Sequence, residues 1–182
     1  KSGFDPLQNA DAENYSDPIL KAINTGITAP NPHNTQSWKF KILNSTEMLL
    51  YVDEKRILPQ TDPPTRQIHI GVGCFLEHLK IGAKQIGYDT EFLILPDGDY
   101  KIEDTGKKSV AHIKLIKSNT SGNVLYNSIQ SRTTNRTVYF GNIITEEEVN
   151  KLKDLGKPEN SSMHFKISET EMNPYKEIFR TA

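Results

Sequence analysis

One long stretch of the sequence predicts a helix that is buried over most of its surface. Across residues 66–86, apolar side chains cover more than half of a helical circumference: Ile68, Val72, Phe75, Leu76, Leu79, Ala83 and Ile86. Gly87 then supplies a helix stop. Because so wide an apolar surface must be covered, we expect this helix to be buried.

Three glycines lie within this predicted helix, at positions 71, 73 and 82. Each lowers helix stability by roughly 1 kcal/mol relative to alanine. Either another part of the chain packs closely against the helix at these positions, or burial tolerates their poor helix propensity. The sequence favours close packing.

The chain before the long helix predicts a helix followed by a hairpin. Asp17 and Pro18 are typical of an N-cap and a first helical position. An apolar stripe with helical spacing follows: Ile19, Ile23 and Ile27. Residues 38–43 and 48–52 are strand-like and joined by a short turn, so they are predicted to pair. Trp38 is interpreted as a core anchor rather than a stacking platform, because large aromatic side chains are usually buried.

The chain after the long helix predicts short elements separated by polar links. Strands are expected at residues 91–95 and 110–116, with a polar surface segment at 97–109, and a short helix at 124–130. Further strands are expected at 138–140 and 163–167, and further helices at 146–155 and from Pro174 onward. Thr145 and Glu148 form a capping box for the first of these helices, in which Val149 and Leu152 should face inward before Gly156 ends it.

The link between the first helix and the hairpin is both rigid and polar. Residues 29–38 read Ala-Pro-Asn-Pro-His-Asn-Thr-Gln-Ser-Trp, and the two prolines fix φ and disfavour helix at the residues before them. Neutral donors and acceptors follow one another along it: Asn31, His33, Asn34, Thr35 and Gln36. This set suits the amide-like edge of a heterocycle better than a phosphate, the alternative being a turn capped by asparagine side chains.

Two further segments carry candidate chemistry. Residues 53–66 form a long connection, and loops of more than about a dozen residues are usually functional or disordered. Its prolines and mixed charges predict an ordered segment. Arg132 and Arg136 flank the hydroxyl side chains of Thr133 and Thr134, which suits a phosphate clamp because guanidinium and hydroxyl donors match phosphate oxygens. The alternative is a solvated surface pair.

Composition argues against several classes of partner. With 22 basic and 23 acidic residues the net charge is −1, which leaves no footprint for nucleic acid or an anionic membrane surface. No apolar run is long enough for a membrane span, and the single cysteine, Cys74, cannot form an internal disulfide. The chain opens without methionine and with a polar segment, and it closes within a helical pattern at 179–182, so we expect a polypeptide incomplete at both ends, of cytoplasmic or exported origin.

Metal and nucleophile chemistry have weaker support. Cys74 and His78 lie four residues apart on the long predicted helix, and His69 or His33 could complete a set of metal ligands. Their spacing matches no closed zinc pattern, so no metal site is predicted. A nucleophilic cysteine–histidine pair is disfavoured, because thiols inside apolar helices tend to be inert.

Three of these segments together resemble the nitroreductase-like flavoprotein family, most closely its branch with two halves of the fold in one chain. They are residues 29–38, 56–66 and 132–136, in matching order and separation. The resemblance covers about residues 17–155, and the first segment is the most specific. Two positions differ, since Asn31 stands where the family usually has serine, and Ser37 where proline precedes tryptophan.

The resemblance implies an α+β fold, in which an antiparallel sheet is flanked by helices and a long central helix is buried. It implies flavin mononucleotide (FMN) as cofactor, close to six residues: Pro30, Asn31, His33, Asn34, Gln36 and Arg66. The FMN phosphate would fall to the arginine and threonine motif: Arg132, Thr133, Thr134 and Arg136. No acid, base or nucleophile is assigned, because the cofactor carries the hydride chemistry.

The same resemblance implies how the chain is divided. The phosphate motif usually opens a family domain, whereas here it follows the first loop. We therefore expect a flexible N-terminal segment at 1–16, a first half at 17–120 and an incomplete second half at 121–182. Because no arginine pair precedes Asp17, one FMN is expected per complete chain, within a self-contained pseudo-dimer or a homodimer.

The implied activity is that of an FMN-dependent oxidoreductase. It would transfer hydride from NADH or NADPH through flavin to a nitro compound, a quinone or a similar small-molecule acceptor. Two alternatives remain open: a flavin-binding protein that covers or stores FMN with little turnover, using residues 53–66 as a lid, or a domain that kept the fold without flavin.

Overall fold

A computed structural model of the chain describes residues 15–137, 144–155 and 163–181. Two compact units are present, with the division between Thr133 and Thr134. The short helix that was predicted to open a second half ends at Ser131 and belongs to the first unit. That the two units correspond to two halves of one family fold stays a prediction.

The first unit combines helices with a four-stranded antiparallel sheet, so the predicted α+β class is confirmed. Its helices are α1 (Pro18–Gly26), α2 (Arg66–Gln85) and α3 (Tyr126–Ser131). Its strands are β1 (Trp38–Asn44), β2 (Glu47–Val52), β3 (Tyr88–Ile94) and β4 (Ala111–Lys117), in the sheet order β1-β2-β4-β3. The helix starting at Pro18 and the hairpin were predicted correctly, although the Asp17 side chain accepts no capping hydrogen bond.

One face of the sheet packs into the core, because more buried and less buried side chains alternate along β2 and β4, as expected for strands with one buried face. In β2, Met48, Leu50 and Val52 are buried, and Leu50 and Met48 lie opposite Ala111 and Ile113 of β4. The predicted strands at 91–95 and 110–116 are both present. The first begins earlier than predicted, at Tyr88, directly after the helix stop.

Helix α2 supplies the centre of this core, which confirms the burial that its wide apolar surface predicted. Phe75 and Leu79 are fully buried, and the Phe75 ring lies 5.2 Å from Trp38 and 5.4 Å from Phe40, measured between ring centroids. Trp38 is 9% exposed, which confirms it as a core anchor. Aromatic pairs at such separations add stability beyond that of the buried area alone.

The glycines of α2 have different surroundings. A Cβ atom at Gly82 would lie 2.5 Å from Thr25 Cβ, so the glycine allows α1 to approach α2 closely. A Cβ at Gly71 would lie 3.2 Å from Pro32. At Gly73 nothing comes within 4 Å of the added atom, and the predicted close approach is wrong there because this position faces outward.

The connection from β2 to α2 is ordered and caps the long helix. The Asp62 side chain is buried and accepts the backbone N–H of Ile68 at 3.0 Å, and the Thr65 N–H donates to the Asp62 carbonyl at 2.9 Å. This carboxylate satisfies a donor in the first turn of α2 and is favourably placed at the positive end of the helix dipole. The sequence analysis predicted order in this segment but missed the cap.

The second unit contains α4 (Glu146–Leu155) and α5 (Glu169–Thr181). The predicted capping box of α4 is confirmed, with Thr145 N–H donating to Glu148 at 2.8 Å and Glu148 N–H donating to Thr145 Oγ1 at 3.3 Å. Val149 is buried as predicted, but Leu152 is 43% exposed, so its predicted inward position is wrong.

Two predictions in the second unit are corrected. Residues 163–167 are irregular instead of forming a strand, since no strand of the described residues pairs with them. Helix α5 begins at Glu169 and contains Pro174, because Ser168 and Glu171 form an earlier capping box. The predicted strand at 138–140 and the stop at Gly156 lie outside the described residues.

Candidate functional site

The loop between α1 and β1 has an unusual backbone. A single 3-10 turn spans Pro32–Asn34, and three residues adopt left-handed conformations, His33 at φ 50°, Asn34 at φ 53° and Gln36 at φ 51°. Left-handed backbone costs non-glycine residues about 1–2 kcal/mol each, with asparagine the more tolerant. Such conformations persist only where surrounding contacts impose them, and they concentrate at functional sites.

The Asn31 side chain holds this loop in its conformation. Its Oδ1 atom accepts the Gln36 backbone N–H at 2.9 Å and the Thr35 hydroxyl at 3.5 Å. Its Nδ2 atom donates to the Ala29 carbonyl at 3.1 Å. Because one carboxamide both donates and accepts across the loop, asparagine has a defined structural role here, at a position where serine is usual in the family that the sequence resembles.

Ser37 ties the end of the loop to the connection after β2. Its hydroxyl donates to the Arg56 carbonyl at 2.9 Å, and its carbonyl accepts the Asp53 N–H at 2.8 Å. Arg56 in turn donates from Nη1 to the Thr35 carbonyl at 3.2 Å. The second departure from the family pattern therefore also has a structural role, since proline at position 37 could not make the hydroxyl contact.

The loop rests on the first half of α2. A side chain at Gly71 would meet Pro32 Cδ at 3.2 Å and Asn31 Cβ at 3.3 Å, so glycine is what allows the loop to lie against the helix. These are contacts tighter than most real Cβ atoms make. The close approach predicted at this glycine is confirmed, and it places the polar loop on the buried central helix.

The loop residues that the resemblance assigns to the flavin differ in their exposure. His33 and Asn34 are exposed, whereas Pro30, Asn31 and Gln36 are half-buried. Gln36 Nε2 donates to Asn34 Oδ1 at 2.8 Å, which orients both carboxamides. The Gln36 carbonyl oxygen and the Asn34 amide nitrogen then remain as an acceptor and a donor, which matches the alternating edge of a flavin ring.

His78, on the same helix, is a polar residue that the sequence analysis considered beside Cys74 as a metal ligand and did not assign to a site. The Thr28 hydroxyl donates to the Thr25 carbonyl at 2.7 Å and lies 3.1 Å from His78 Nδ1, so it can only accept from that nitrogen. This arrangement assigns the neutral tautomer with the proton on Nδ1. Burial, followed by the positive charge of Arg132, lowers the pKa of His78, and Glu77 partly offsets the change.

The predicted phosphate motif lies at the surface. Arg132 and Thr133 end the first unit, while Thr134 and Arg136 belong to the second, and all four are exposed. The positive charge of Arg132 acts on His78 of α2 and contributes to its lowered pKa. After the motif, Asn135 Oδ1 accepts both the N–H and the hydroxyl of Thr137, at 2.9 Å and 2.7 Å.

Arg66 occupies a different place from the loop residues with which it was grouped. It is the first residue of α2, and its side chain lines a groove together with His69, Tyr100 and Lys101. The residues 97–109, in which the sequence showed no chemistry, thus contribute to a surface depression. Hydropathy patterns gave no signal for it, because its lining residues come from segments far apart in sequence.

Side chains that could ligate a metal ion do not form a cluster within the described ranges. No three or more His, Cys, Asp or Glu side chains come together there. Cys74 is a half-buried thiol packed against the core. No helix in the same ranges is long and apolar enough to cross a lipid bilayer.

Comparison with known proteins finds partial similarity to nitroreductases. No protein-family model matches the chain. The "Putative NAD(P)H nitroreductase acg" of Mycobacterium tuberculosis is 31% identical over 72 residues, which are 40% of this chain and 22% of that protein. The "Putative NAD(P)H nitroreductase Rv3131" of the same organism is 25% identical over 79 residues, 43% of this chain and 23% of that protein.

A third relative has no activity in its name. "Uncharacterized protein Rv3127" of M. tuberculosis is 33% identical over 66 residues, 35% of this chain and 19% of that protein. The matched region thus spans about a fifth of the length of these curated relatives. A crystal structure of a nitroreductase-like protein from Streptococcus mutans aligns with a TM-score of 0.40 and 15% identity, covering 64% of this chain and 91% of the other.

Proposed function

We propose that this chain supplies flavin-binding elements of an FMN-dependent oxidoreductase of the nitroreductase type. The observation that carries the proposal is the loop from Pro30 to Ser37, which Asn31 holds in a left-handed conformation against Gly71. Similarity to two putative NAD(P)H nitroreductases supports the same reading. A loop fixed in advance loses little conformational entropy when a planar ligand binds to it.

The residues present fit the chemistry of a flavin ring. Pro30 and Pro32 stiffen the backbone, and Asn34 and Gln36 retain one donor and one acceptor for the polar edge of the ring system. His33, exposed at the turn, can donate or accept beside them. Asn31 acts through the loop, since its carboxamide is engaged by Ala29 and Gln36.

The phosphate of the cofactor is assigned to Arg132, Thr133, Thr134 and Arg136. Guanidinium groups and hydroxyls are the donors that phosphate oxygens prefer. In the part of the chain that the structure describes, Arg132 has no ion pair, and its charge instead lowers the pKa of the neighbouring His78. A bound phosphate would compensate that charge.

When bound, FMN would supply hydride chemistry between a nicotinamide donor, NADH or NADPH, and a nitro compound, quinone or similar acceptor. The contribution of this chain is to bind and orient the ring and to hold its phosphate. No acid or base of the chain is given a role in the reaction. A homodimer or a pseudo-dimer of two halves is the assembly that we expect to complete the site.

Anaerobic reduction tests the proposed activity. The protein is saturated with FMN, unbound flavin is removed, and NADPH or NADH is added while flavin absorbance is followed. Bleaching, followed by recovery on addition of a nitroaromatic compound or a quinone, is the expected result. Bound flavin that neither nicotinamide reduces would contradict the oxidoreductase and indicate a flavin-binding protein with little turnover.

A further inference from the structure

A groove of about 560 Å³ opens beside the first turns of α2. This volume is within the usual range for small-molecule sites. Its walls come from the start of α2, from the residue after β3 and from residues 100–102. Of the residues assigned to FMN by the resemblance, the groove contains Arg66 and none of the loop residues.

Two polar atoms at the groove are buried and have no hydrogen-bond partner in the described structure, His69 Nε2 and the Tyr100 hydroxyl. His69 Nδ1 lies 2.7 Å from the Thr65 carbonyl, which can only accept, so the proton of the neutral ring is on Nδ1 and Nε2 is an acceptor. The two rings meet edge to face with centroids 5.3 Å apart. Leaving a buried polar group unpaired costs about 1–3 kcal/mol, which a ligand carrying a matching group would recover.

The Tyr100 hydroxyl is suited to donate rather than to ionise. Burial raises the pKa of Tyr100, the nearby Thr105 hydroxyl lowers it in part, and the negative charge of Asp104 raises it further. The Thr105 hydroxyl itself donates to the Ile102 carbonyl at 2.7 Å. With the His69 ring neutral, the groove therefore offers one acceptor, His69 Nε2, and one donor, the Tyr100 hydroxyl.

The two charged side chains that line the groove are both cationic, and the Asp104 carboxylate, which is not among the lining residues, accepts the Lys101 backbone N–H at 2.9 Å. Arg66 and Lys101 line the groove, and no carboxylate is among its lining residues. Among the described residues neither cation forms an ion pair, whereas several other lysines of the same unit do, among them Lys39, Lys84, Lys108 and Lys114. Two unpaired cations beside a polar floor favour an anionic ligand.

The walls are apolar and exposed to an unusual degree. Ile70 is 58% exposed and Ile102 is 47% exposed, and both line the groove. Two other lining residues, Thr65 and Leu95, adopt left-handed conformations at φ 56° and φ 50°. For a β-branched and a bulky residue this conformation is strained, and strain of this kind clusters at ligand-binding sites.

We propose that this groove binds a small aromatic carboxylate that carries a ring hydroxyl. Its carboxylate would pair with Arg66 and Lys101, and its ring would pack against Ile70 and Leu95. Its hydroxyl would donate to His69 Nε2 and accept from Tyr100, whose half-buried ring can turn to admit it. Binding of this ligand does not require FMN, so its test is independent of the test of the proposed function.

Calorimetric titration of the whole chain with 4-hydroxybenzoate tests the site. Saturable binding is expected, weakened at least about fivefold in Arg66→Gln and in Lys101→Gln, as for loss of a charged hydrogen bond. Lys107→Gln, a charge-matched control outside the groove lining, should bind as the wild type does. Benzoate, which lacks the hydroxyl, should bind about tenfold more weakly. Changing the ligand in this way avoids a core substitution at His69.

Three results would overturn the proposal. The first is the absence of saturable binding by the folded wild-type chain. The second is equal affinity for the neutral 4-hydroxybenzamide, which would remove the role of the two cations. The third is displacement of 4-hydroxybenzoate by FMN, which would make the groove part of the flavin site instead of a separate one.

Discussion

Asn31 Oδ1 accepts the backbone N–H of Gln36 at 2.9 Å, and this hydrogen bond closes the loop on which the proposed flavin site depends. It joins residues on either side of the left-handed pair His33 and Asn34. The Asn31 carboxamide therefore stabilises the strained backbone conformation of His33 and Asn34. Loss of the carboxamide should let the loop relax, with consequences for both stability and binding.

Replacing Asn31 with alanine should lower the free energy of unfolding by about 1–2 kcal/mol, because the Gln36 N–H and the Ala29 carbonyl lose their partner. The dissociation constant for FMN should rise at least about tenfold, because the loop is no longer fixed before binding. Denaturant unfolding and flavin fluorescence titration measure the two effects. Asn173→Ala, on the exposed surface of α5, is the control. An Asn31→Ala protein with wild-type affinity would refute the role of the loop.

The left-handed backbone at Gln36 makes a second prediction. Gln36→Gly and Gln36→Val both remove the carboxamide that donates to Asn34, but only valine is strained at φ 51°. The valine protein should therefore be less stable than the glycine protein by about 1–2 kcal/mol. Thermal unfolding of the pair gives the difference directly. Equal stability would mean that the backbone at this position is not left-handed.

Gly73 and Gly82 of α2 provide a matched pair of substitutions. In Gly82→Ala the new methyl group would collide with Thr25, a buried residue of α1, and a loss of about 1–3 kcal/mol in the free energy of unfolding is expected. In Gly73→Ala the methyl group meets nothing within 4 Å, so a gain of up to about 1 kcal/mol follows from helix propensity. Urea denaturation of both proteins tests the contrast. Stabilisation by Gly82→Ala would contradict the close packing of the helices.

This contrast shows where sequence patterns were sufficient. The apolar period of α2, the paired strand patterns of β1 and β2 and the capping box of α4 each reflect local rules, and each element is present. The same rules could not separate Gly73 from Gly82, because which face of α2 meets α1 is decided by tertiary packing. Leu152 and Pro174 were misjudged for a similar reason, since burial of a helix face and the true start of α5 depend on neighbours.

The details of the candidate site were less accessible to prediction. Residues 29–38 could be recognised as rigid and polar, but their left-handed conformations depend on the hydrogen bonds of Asn31 and on contact with Gly71. The groove combines His69 and Tyr100, which are far apart in sequence. No periodicity marks such a juxtaposition. The assignment of Arg132, Thr133, Thr134 and Arg136 to phosphate still rests on residue chemistry.

His78 should make stability depend on pH in a defined window. Its folded pKa is lowered from the ordinary value of 6.5, so between those two values the unfolded chain holds a proton that the folded chain does not. The free energy of unfolding therefore rises with pH through this window. The stability that His78 contributes is lost as the pH falls from 6.5 through the folded pKa. Above pH 6.5 this contribution is fully present and no longer changes with pH.

Urea unfolding at about pH 5 and about pH 7.5 measures this effect. His78→Gln removes the titrating group and keeps an N–H donor for Thr28, so its stability should fall less on acidification than that of the wild type. His33→Gln, which changes an exposed histidine, should behave as the wild type does. An equal acid sensitivity of the wild type and His78→Gln would contradict the assignment.

The most direct test of the proposed flavin site is the absorbance spectrum of the purified protein, recorded before and after incubation with excess FMN and removal of unbound flavin by gel filtration. We predict flavin bands that elute with the protein and approach one FMN per chain. These bands should be reduced in Asn31→Ala and in a double substitution of Arg132 and Arg136 by glutamine. A spectrum without flavin bands after gel filtration would contradict the account.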